Sequence, residues 1–454
     1  MLMSKKILRG FLICFFLFIG FTSFSQGYNP DYRFSVQQLQ TDFKFLRSKL
    51  EKTHPALYLY TPKAEMDAFF DSLYRRIKKP LTEREFYNVI TLLNSKIKDG
   101  HTMFLPGEEA MNYFNEQTGF FPFYIIIREG KLYVNMNCSS DTAIKEGTEL
   151  IFINNKDTEA VIDYLLHRQI HDGNNSTYPE WILTTYFKSY YGFSYGTATS
   201  FHVGFRNSQD ELETKKINAL SNDSIRFYRQ QKYAGRFSEV NSKKGIFLEM
   251  DNQSSTATLT VPSFNNYILK SQYNQEFKVE IEKHFKTIRE SNAKYMILDL
   301  RSNQGGDWEP GRLLLSYLIQ KPVKYLENSV QSRMVNPAEN NFTGDLYVLI
   351  NGGSFSNSGI VSSCLEQAGR ATFIGEETGG NKTVINGEAA DYILPNTKIA
   401  AQVSTKNFVI RSVTNDGHGV IPTYSIRPSI EDVILGKDVV KEKAIDLIKK
   451  SNSK

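Results

Sequence analysis

Residues 346–365 restrict the fold of this chain most, because a buried strand, a glycine turn and a helix follow one another there. The first five residues form a short aliphatic and aromatic run, and Gly352-Gly353 ends it. From Asn357 onwards the apolar residues recur at helical spacing. A strand that runs through a tight turn into a helix is typical of an α/β fold.

The same order of elements recurs on either side of this stretch. The predicted strands are residues 257–261, 295–300 and 371–375, and the predicted helices between them are residues 273–290 and 313–319. Fully apolar strands joined by helical crossovers are typical of a mainly parallel sheet that is covered on both faces. We therefore expect an α/β core built from βα units over residues 240–454.

Ser356 lies between the glycine turn and the predicted helix. A serine in that position can hold its hydroxyl beside the unpaired backbone N–H groups of a helix start, which could stabilise an oxyanion. Such a serine is the natural nucleophile for acyl transfer. The alternative is that Ser354, Ser356 and Ser358 only cap the helix, which is the commoner role of serines at such turns. This stretch alone leaves both interpretations open.

Two further regions are predicted upstream of the core. Residues 30–105 contain three runs of apolar residues at helical spacing and end in a polar turn that carries His101. Residues 118–220 begin with two apolar runs on either side of Gly130, which predict a hairpin. A glycine, a strand and a helix then follow in the order of a peptide-binding PDZ-like module. Residues 221–244 are polar and charged and are interpreted as a linker.

The composition disfavours one class of function. The 454-residue chain has a formal net charge of only +5, and it contains no basic block and no stripe of aromatic and basic residues. Proteins that bind nucleic acids need a clustered positive surface to neutralise phosphates. We therefore expect no nucleic acid among the partners.

The first 25 residues are typical of a signal peptide. A positively charged start precedes an apolar stretch over residues 10–21, and small residues follow at positions 23–25. We expect cleavage after residue 25 and export to the periplasm or beyond, with an uncleaved membrane anchor as the alternative. Only Cys138 and Cys364 would then remain, so we expect neither a disulfide framework nor a metal site.

Five segments together resemble the tail-specific or C-terminal-processing serine peptidases, a family that includes the tricorn core protease. Residues 299–306 are similar to its Asp-x-Arg-x-Asn-x-Gly-Gly signature, and residues 98–102 are similar to the Asp-Gly-His-Thr element of its tricorn-like, retinoid-binding branch. The other similar segments are residues 354–356, 373–380 and 419–422. The resemblance covers nearly all of the chain after the predicted signal peptide.

The resemblance implies a crotonase- or Clp-like catalytic core and an endopeptidase that cleaves unfolded or partly degraded polypeptides without a metal or cofactor. Ser356 matches the nucleophile of the family, and His101 matches the general base of the tricorn-like branch. Asp416 falls where that branch has a carboxylate that orients the base. The oxyanion donors implied by the match are the main-chain N–H groups of Gly305 or Gly306 and of Asn357.

Alternatives for the general base and for the function remain open at this point. The other branch of the family uses a lysine base, and Lys382 lies one place beyond the matching position. His418, two residues from Asp416, is a further rival for the base. The alternative function is a non-catalytic protein that binds a peptide or an apolar ligand on the same scaffold, because a fold does not fix a function.

Overall fold

The computed structural model describes residues 27–454 except 117–118, 208, 238–243, 329–333 and 453–454. The predicted signal peptide, residues 1–25, lies outside the described residues. None of the described helices is long and apolar enough to cross a lipid bilayer.

Residues 27–116 are mainly helical. The first long helix begins at a capping box, in which the Ser35 hydroxyl accepts from the Gln38 N–H and the Gln38 side chain accepts from the Ser35 N–H. The elements of this region are β1 (Arg33–Phe34), α1 (Val36–Thr53), α2 (Lys63–Arg76), β2 (Leu81–Thr82), α3 (Glu83–Ile90), α4 (Asn94–Ile97), β3 (Met103–Leu105) and α5 (Glu108–Glu116). Apolar faces of α1, α2 and α3 meet in one buried cluster.

Residues 120–237 form an antiparallel sheet with helices against it. The elements are β4 (Phe123–Arg128), β5 (Lys131–Asn137), β6 (Glu149–Ile153), β7 (Lys156–Asp157), α6 (Thr158–Leu166), α7 (Thr177–Tyr195), β8 (Ser200–Arg206), β9 (Leu212–Asn218) and α8 (Asn222–Phe237). The strand order is β4-β5-β6-β8-β9, with β7 paired to β6. Glu129 and Gly130 have φ of 51° and 76°, the left-handed conformation that a type I′ turn between β4 and β5 requires.

Helix α8 corrects the interpretation of residues 221–244 as a linker. Ile225 and Tyr233 are buried in an apolar cluster with residues of the neighbouring sheet, and Tyr228 packs against that cluster. Three apolar side chains among many charged ones are enough to hold a helix when a sheet covers their face. The polar composition therefore concealed an amphipathic helix.

The remaining residues form the core that carries the strand–turn–helix stretch. Its elements are β10 (Phe247–Asp251), β11 (Thr256–Thr260), α9 (Asn266–Tyr273), α10 (Phe277–Glu290), β12 (Tyr295–Asp299), α11 (Trp308–Leu318), β13 (Val323–Lys324), β14 (Met334–Val335), β15 (Asp345–Ile350), α12 (Asn357–Gln367), β16 (Ala371–Gly375), β17 (Val384–Gly387), β18 (Ala390–Ile393), β19 (Ala400–Val403), β20 (Lys406–Val409), β21 (Tyr424–Ser425), α13 (Ile430–Leu435) and α14 (Val439–Asn452).

The main sheet of this core has the order β10-β11-β12-β15-β16-β21. Its first pair is antiparallel and the other four pairs are parallel. Both faces of the sheet are apolar: Met296 and Leu298 of β12 lie in the large cluster formed with α10, α11 and α12, whereas Tyr295 and Ile297 face α14. Because side chains alternate along a strand, a sheet covered on both faces requires the continuous apolar runs seen in the sequence.

The helical region and the core share one set of buried contacts. Strand β3 pairs antiparallel with β19, and Leu394, Ile399 and Val403 lie in the same apolar cluster as α1, α2 and α3. The segment that carries His101 ends at β3, so this pairing fixes its position against the core.

The fully buried carboxylate of Asp42 in α1 contributes to the same attachment. It accepts four hydrogen bonds of 2.7–2.9 Å, from the backbone and side chains of Asn396 and Thr397. Removing such an acceptor leaves buried donors without a partner, which costs more than the net worth of the bonds.

We expect Asp42→Ala to lower the free energy of unfolding by at least about 2 kcal/mol. The control is Asp71→Ala, which removes a half-exposed carboxylate paired with Arg47 and should cost less than about 1 kcal/mol. Chemical denaturation of both variants measures the difference. Equal losses in the two variants would show that the Asp42 contacts do not hold α1 on the core.

Candidate active site

The backbone of Ser356 is held in a strained conformation at the start of α12. Its φ is 53° and its ψ is −123°, a region that non-glycine residues avoid and that costs about 1–3 kcal/mol. The turn before it is fixed to the segment that follows the neighbouring strand, β12. The Ser354 hydroxyl donates to the Leu300 carbonyl over 2.8 Å, and the Phe355 N–H donates to the Asn303 carbonyl over 3.0 Å. The Ser356 side chain makes no capping bond to α12, so the capping interpretation fails for this serine.

His101 lies beside this serine although 255 residues separate them. The distance from His101 Nε2 to Ser356 Oγ is 3.1 Å, and both side chains are buried. The left-handed conformation of Lys98, with φ of 53°, ends α4 and turns the chain towards the core. The structure thus brings together the two residues that the sequence predicts as nucleophile and base.

An aromatic stack fixes the plane of the imidazole. The His101 ring lies 4.6 Å from the Phe355 ring, centroid to centroid, and the other face of Phe355 stacks on Tyr178 at 4.0 Å. Gly100 allows this close approach, because a Cβ at that position would lie 2.6 Å from the Phe355 ring. The residue before the predicted nucleophile therefore orients the predicted base.

Two buried carboxylates lie next to His101. One ligand-type atom from each of Asp99, His101 and Asp172 lies within 4.8 Å of the other two. Asp99 accepts from the His54 ring at 2.9 Å, and its remaining donors are the Thr102 hydroxyl, the Ser404 hydroxyl and the His101 N–H. A carboxylate and imidazole cluster has the ligand chemistry of a metal site, but these donors already surround Asp99 and Ser356 bonds the imidazole.

The electrostatics of the cluster follow from burial and from Asp99. Burial lowers the pKa of His101 to about 4, with Asp99 opposing the shift, so the imidazole is neutral near neutral pH. Burial alone would raise the pKa of Asp99, but the hydrogen bond and charge of His54 outweigh it and hold that pKa below its usual range. Burial and then the charge of Asp99 raise the pKa of Asp172 to about 7.

The predicted oxyanion donors differ in what they already bind. The Gly305 N–H donates to Asn303 Oδ1 over 2.8 Å. Within the described part of the chain, the N–H groups of Gly306 and Asn357 have no protein acceptor. Gly305 lies against the serine turn, because a Cβ there would come 2.8 Å from Ser356 Cβ and 2.6 Å from the Asn357 nitrogen. Gly306 and Asn357 are thus the better candidates for binding an oxyanion.

The structure does not bring Asp416 to His101. Asp416 Oδ2 forms an ion pair of 3.1 Å with Lys382 Nζ, and Oδ1 accepts the His418 N–H. The Asp416 side chain is half-exposed, and Gly417, the next residue, has a φ of 79°. His418 in turn pairs with Glu377 at 3.1 Å.

Asp172, which the sequence did not single out, lies where Asp416 was expected. Its only local signal is an Asp-Gly pair, Asp172-Gly173, like Asp99-Gly100. Nothing in that pair indicates which other segment the carboxylate contacts.

A buried serine on a strained turn, hydrogen-bonded to a neutral histidine and followed by unpaired helix N–H groups, is the arrangement of a serine hydrolase. Residues 255–426 match the model of peptidase family S41. The match includes Ser356 and the glycine turn at 305–306, and it leaves out His101 and Asp172.

Two carboxyl-terminal-processing peptidases are similar in sequence to part of this chain. A carboxyl-terminal-processing protease of Picosynechococcus sp. is 31% identical over 120 residues, which are 25% of this chain and 28% of the relative. The chloroplastic carboxyl-terminal-processing peptidase 2 of Arabidopsis thaliana is 29% identical over 119 residues, 25% of this chain and 23% of the relative. The chain therefore matches about a quarter of the length of these relatives.

Solved structures extend the similarity in fold. Mature CPAF superposes with a TM-score of 0.65 at 13% identity, covering 91% of this chain and 97% of that one. Mature CPAF complexed with lactacystin gives a TM-score of 0.66 at 14% identity, covering 92% and 98%. At these identities the similarity concerns the fold alone.

We expect Gly100→Ala to displace the imidazole, because the added methyl group overlaps the Phe355 ring. Overpacking of this kind costs about 1–3 kcal/mol. Gly27→Ala is the control, since a Cβ there meets no atom within 4 Å. Thermal unfolding measures the loss, and reaction of Ser356 with a fluorophosphonate measures the displacement. Unchanged stability and reactivity in Gly100→Ala would refute the role of the stack.

Proposed function

We propose that this protein is a serine endopeptidase that cleaves polypeptides, with Ser356 as the nucleophile and His101 as the general base. The observation that carries the proposal is the 3.1 Å contact between His101 Nε2 and Ser356 Oγ at a strained strand-to-helix turn. A serine hydroxyl is a weak nucleophile near neutral pH, and a neutral imidazole within hydrogen-bond reach removes its proton as it attacks.

The reaction would proceed in two halves. Ser356 Oγ attacks the peptide carbonyl carbon while its proton passes to His101 Nε2, and the tetrahedral oxyanion is bound by the N–H groups of Gly306 and Asn357. The imidazolium then gives the proton to the leaving amine, and an acyl-enzyme remains. Water, deprotonated by the same imidazole, hydrolyses the ester and restores Ser356.

The low pKa of His101 makes it a weak general base in this scheme. An imidazole with a pKa of about 4 is neutral and ready to accept, but it is a weak base. Positive charge that develops on the ring during attack needs a nearby negative charge to stabilise it. The ionised carboxylate of Asp99 supplies one such charge, and it raises the pKa of His101 against the effect of burial.

The proposal also assigns a role to each region of the chain and a class of substrate. Residues 30–105 and 240–454 supply the base and the nucleophile, and residues 118–220 would act as a PDZ-like module that holds a substrate tail by strand addition. The match to peptidase family S41 and the name of the carboxyl-terminal-processing relatives favour polypeptide substrates. The resemblance of the sequence motifs extends this proposal to unfolded or partly degraded polypeptides. The basic and apolar start of the sequence favours export.

A fluorophosphonate probe tests the proposal, because it reacts only with an activated serine. We expect wild-type protein to be labelled, Ser356→Ala to be unlabelled, and His101→Ala to react about 10²–10⁴-fold more slowly. Lys382→Ala should stay within about threefold of wild type, because Lys382 bonds Asp416 while Ser356 bonds His101. Peptide cleavage should follow the same order.

Two outcomes would contradict parts of this scheme. Loss of labelling in Lys382→Ala with labelling kept in His101→Ala would make lysine the base. No labelling of wild-type protein that circular dichroism shows to be folded would favour the non-catalytic binding protein instead.

A further inference from the structure

Asp172 bonds two segments of the proposed catalytic site, one next to His101 and one close to the turn that carries Ser356. It is 3% exposed and lies between α6 and α7, in the region with the antiparallel sheet. Its Oδ1 accepts the Gly100 N–H at 2.8 Å, and its Oδ2 accepts the Asn381 N–H at 3.2 Å. Gly100 precedes His101, and Gly380, next to Asn381, lies so close to the serine turn that a Cβ there would be 3.3 Å from the Ser356 nitrogen.

Asp172 also has acceptor capacity that Asp99 lacks. A carboxylate offers about four lone-pair sites. Asp99 already receives four hydrogen bonds from His54, His101, Thr102 and Ser404. Asp172 receives two, both from backbone N–H groups, and its nearest oxygen lies within 4.8 Å of a ring nitrogen of His101.

We propose that the carboxylate of Asp172 is the positioning residue of His101. In the proposed peptidase reaction, on which this inference rests, it would favour the tautomer with the proton on Nδ1, which leaves Nε2 to accept the proton of Ser356. It would also stabilise the imidazolium that forms during attack. Three separate regions of the chain would then each supply one group: His101, Asp172 and Ser356.

A dependence on pH follows from this placement. The pKa of Asp172 is raised to about 7 by burial and by the charge of Asp99, so its carboxylate ionises near neutral pH. Protonated Asp172 leaves the imidazolium with the charge of Asp99 alone, so acylation should slow as the pH falls through about 7. The protonation of His101 itself occurs only near pH 4. The groups that face Asp172 are Asp99, His101, Tyr60, Tyr178 and the N–H groups of Gly100 and Asn381.

The first test is the pH profile of fluorophosphonate acylation between pH 5 and 9. We expect Asp172→Asn to react at least about tenfold more slowly at pH 8 and to lose the rise of the rate near pH 7. Asp42→Asn is the matched control, because Asp42 is also a buried carboxylate that accepts backbone N–H groups but lies in α1. It should lower stability and keep the wild-type pH profile. A folded Asp172→Asn with the wild-type rate and profile would overturn the proposal.

The second test uses wild-type protein, because the amide introduced by Asp172→Asn would place a donor against a backbone donor and could unfold the chain. Nitrogen-15 NMR of labelled histidine reports the tautomer of His101, whose signal among the seven histidines is identified by its loss in His101→Gln. We expect the Nδ1-protonated form at pH 8 and a change in its shifts near pH 7. A predominantly Nε2-protonated ring at pH 8 would refute the proposal.

The two proposals fail in different ways. If wild-type protein is not labelled by the fluorophosphonate, the peptidase function fails, and the NMR measurement still decides whether Asp172 sets the tautomer of His101.

Discussion

The geometry of the candidate active site depends on two hydrogen bonds between neighbouring strand ends, from the Ser354 hydroxyl to the Leu300 carbonyl and from the Phe355 N–H to the Asn303 carbonyl. They hold the turn after β15 against the turn after β12. A strained backbone such as that of Ser356, with its positive φ, persists when the surrounding contacts fix the chain on both sides, here these hydrogen bonds and helix α12. Parallel pairing places the carboxyl ends of β12 and β15 at the same edge of the sheet, so the serine and the glycine turn meet there.

The second constraint is aromatic. Phe355 packs between His101 and Tyr178, which come from two other regions of the chain. The Phe355 ring is rigid and is in contact on both faces, so it fixes the imidazole of His101 relative to the edge of the sheet. The chain itself cannot do this, because 255 residues separate His101 from Ser356. The pairing of β3 with β19 and the bonds of Asp42 hold the rest of the helical region in place for this contact.

The sequence predicted the parts of this arrangement that are local. Continuous apolar runs indicated buried strands, and the glycine turn before Ser356 indicated an exposed backbone at a helix start. His101 was found only because residues 98–102 resemble a family element, since the 255-residue separation has no local signature. The same resemblance predicted that Asp416 orients the general base, His101. In the structure Asp416 forms an ion pair with Lys382 instead.

Other features could not be predicted because they depend on distant partners. Asp172 bonds residues 72 and 209 positions away, and neither contact leaves a periodic trace in the sequence. Helix α8 was missed because its charged surface dominates its composition, while Ile225 and Tyr233 are buried only by a sheet formed earlier in the chain. In both cases tertiary contacts decide what local preference leaves open.

The order of the proposed catalytic groups along the chain has a consequence for biosynthesis. His101 is made early and Ser356 late, and the strand β19 that anchors the histidine segment follows the serine by more than forty residues. A ribosome-bound precursor therefore cannot assemble the pair until almost the whole polypeptide has emerged. On the proposed mechanism, a nascent chain that ends before β19 would lack the strand that anchors the His101 segment, and it would be inactive.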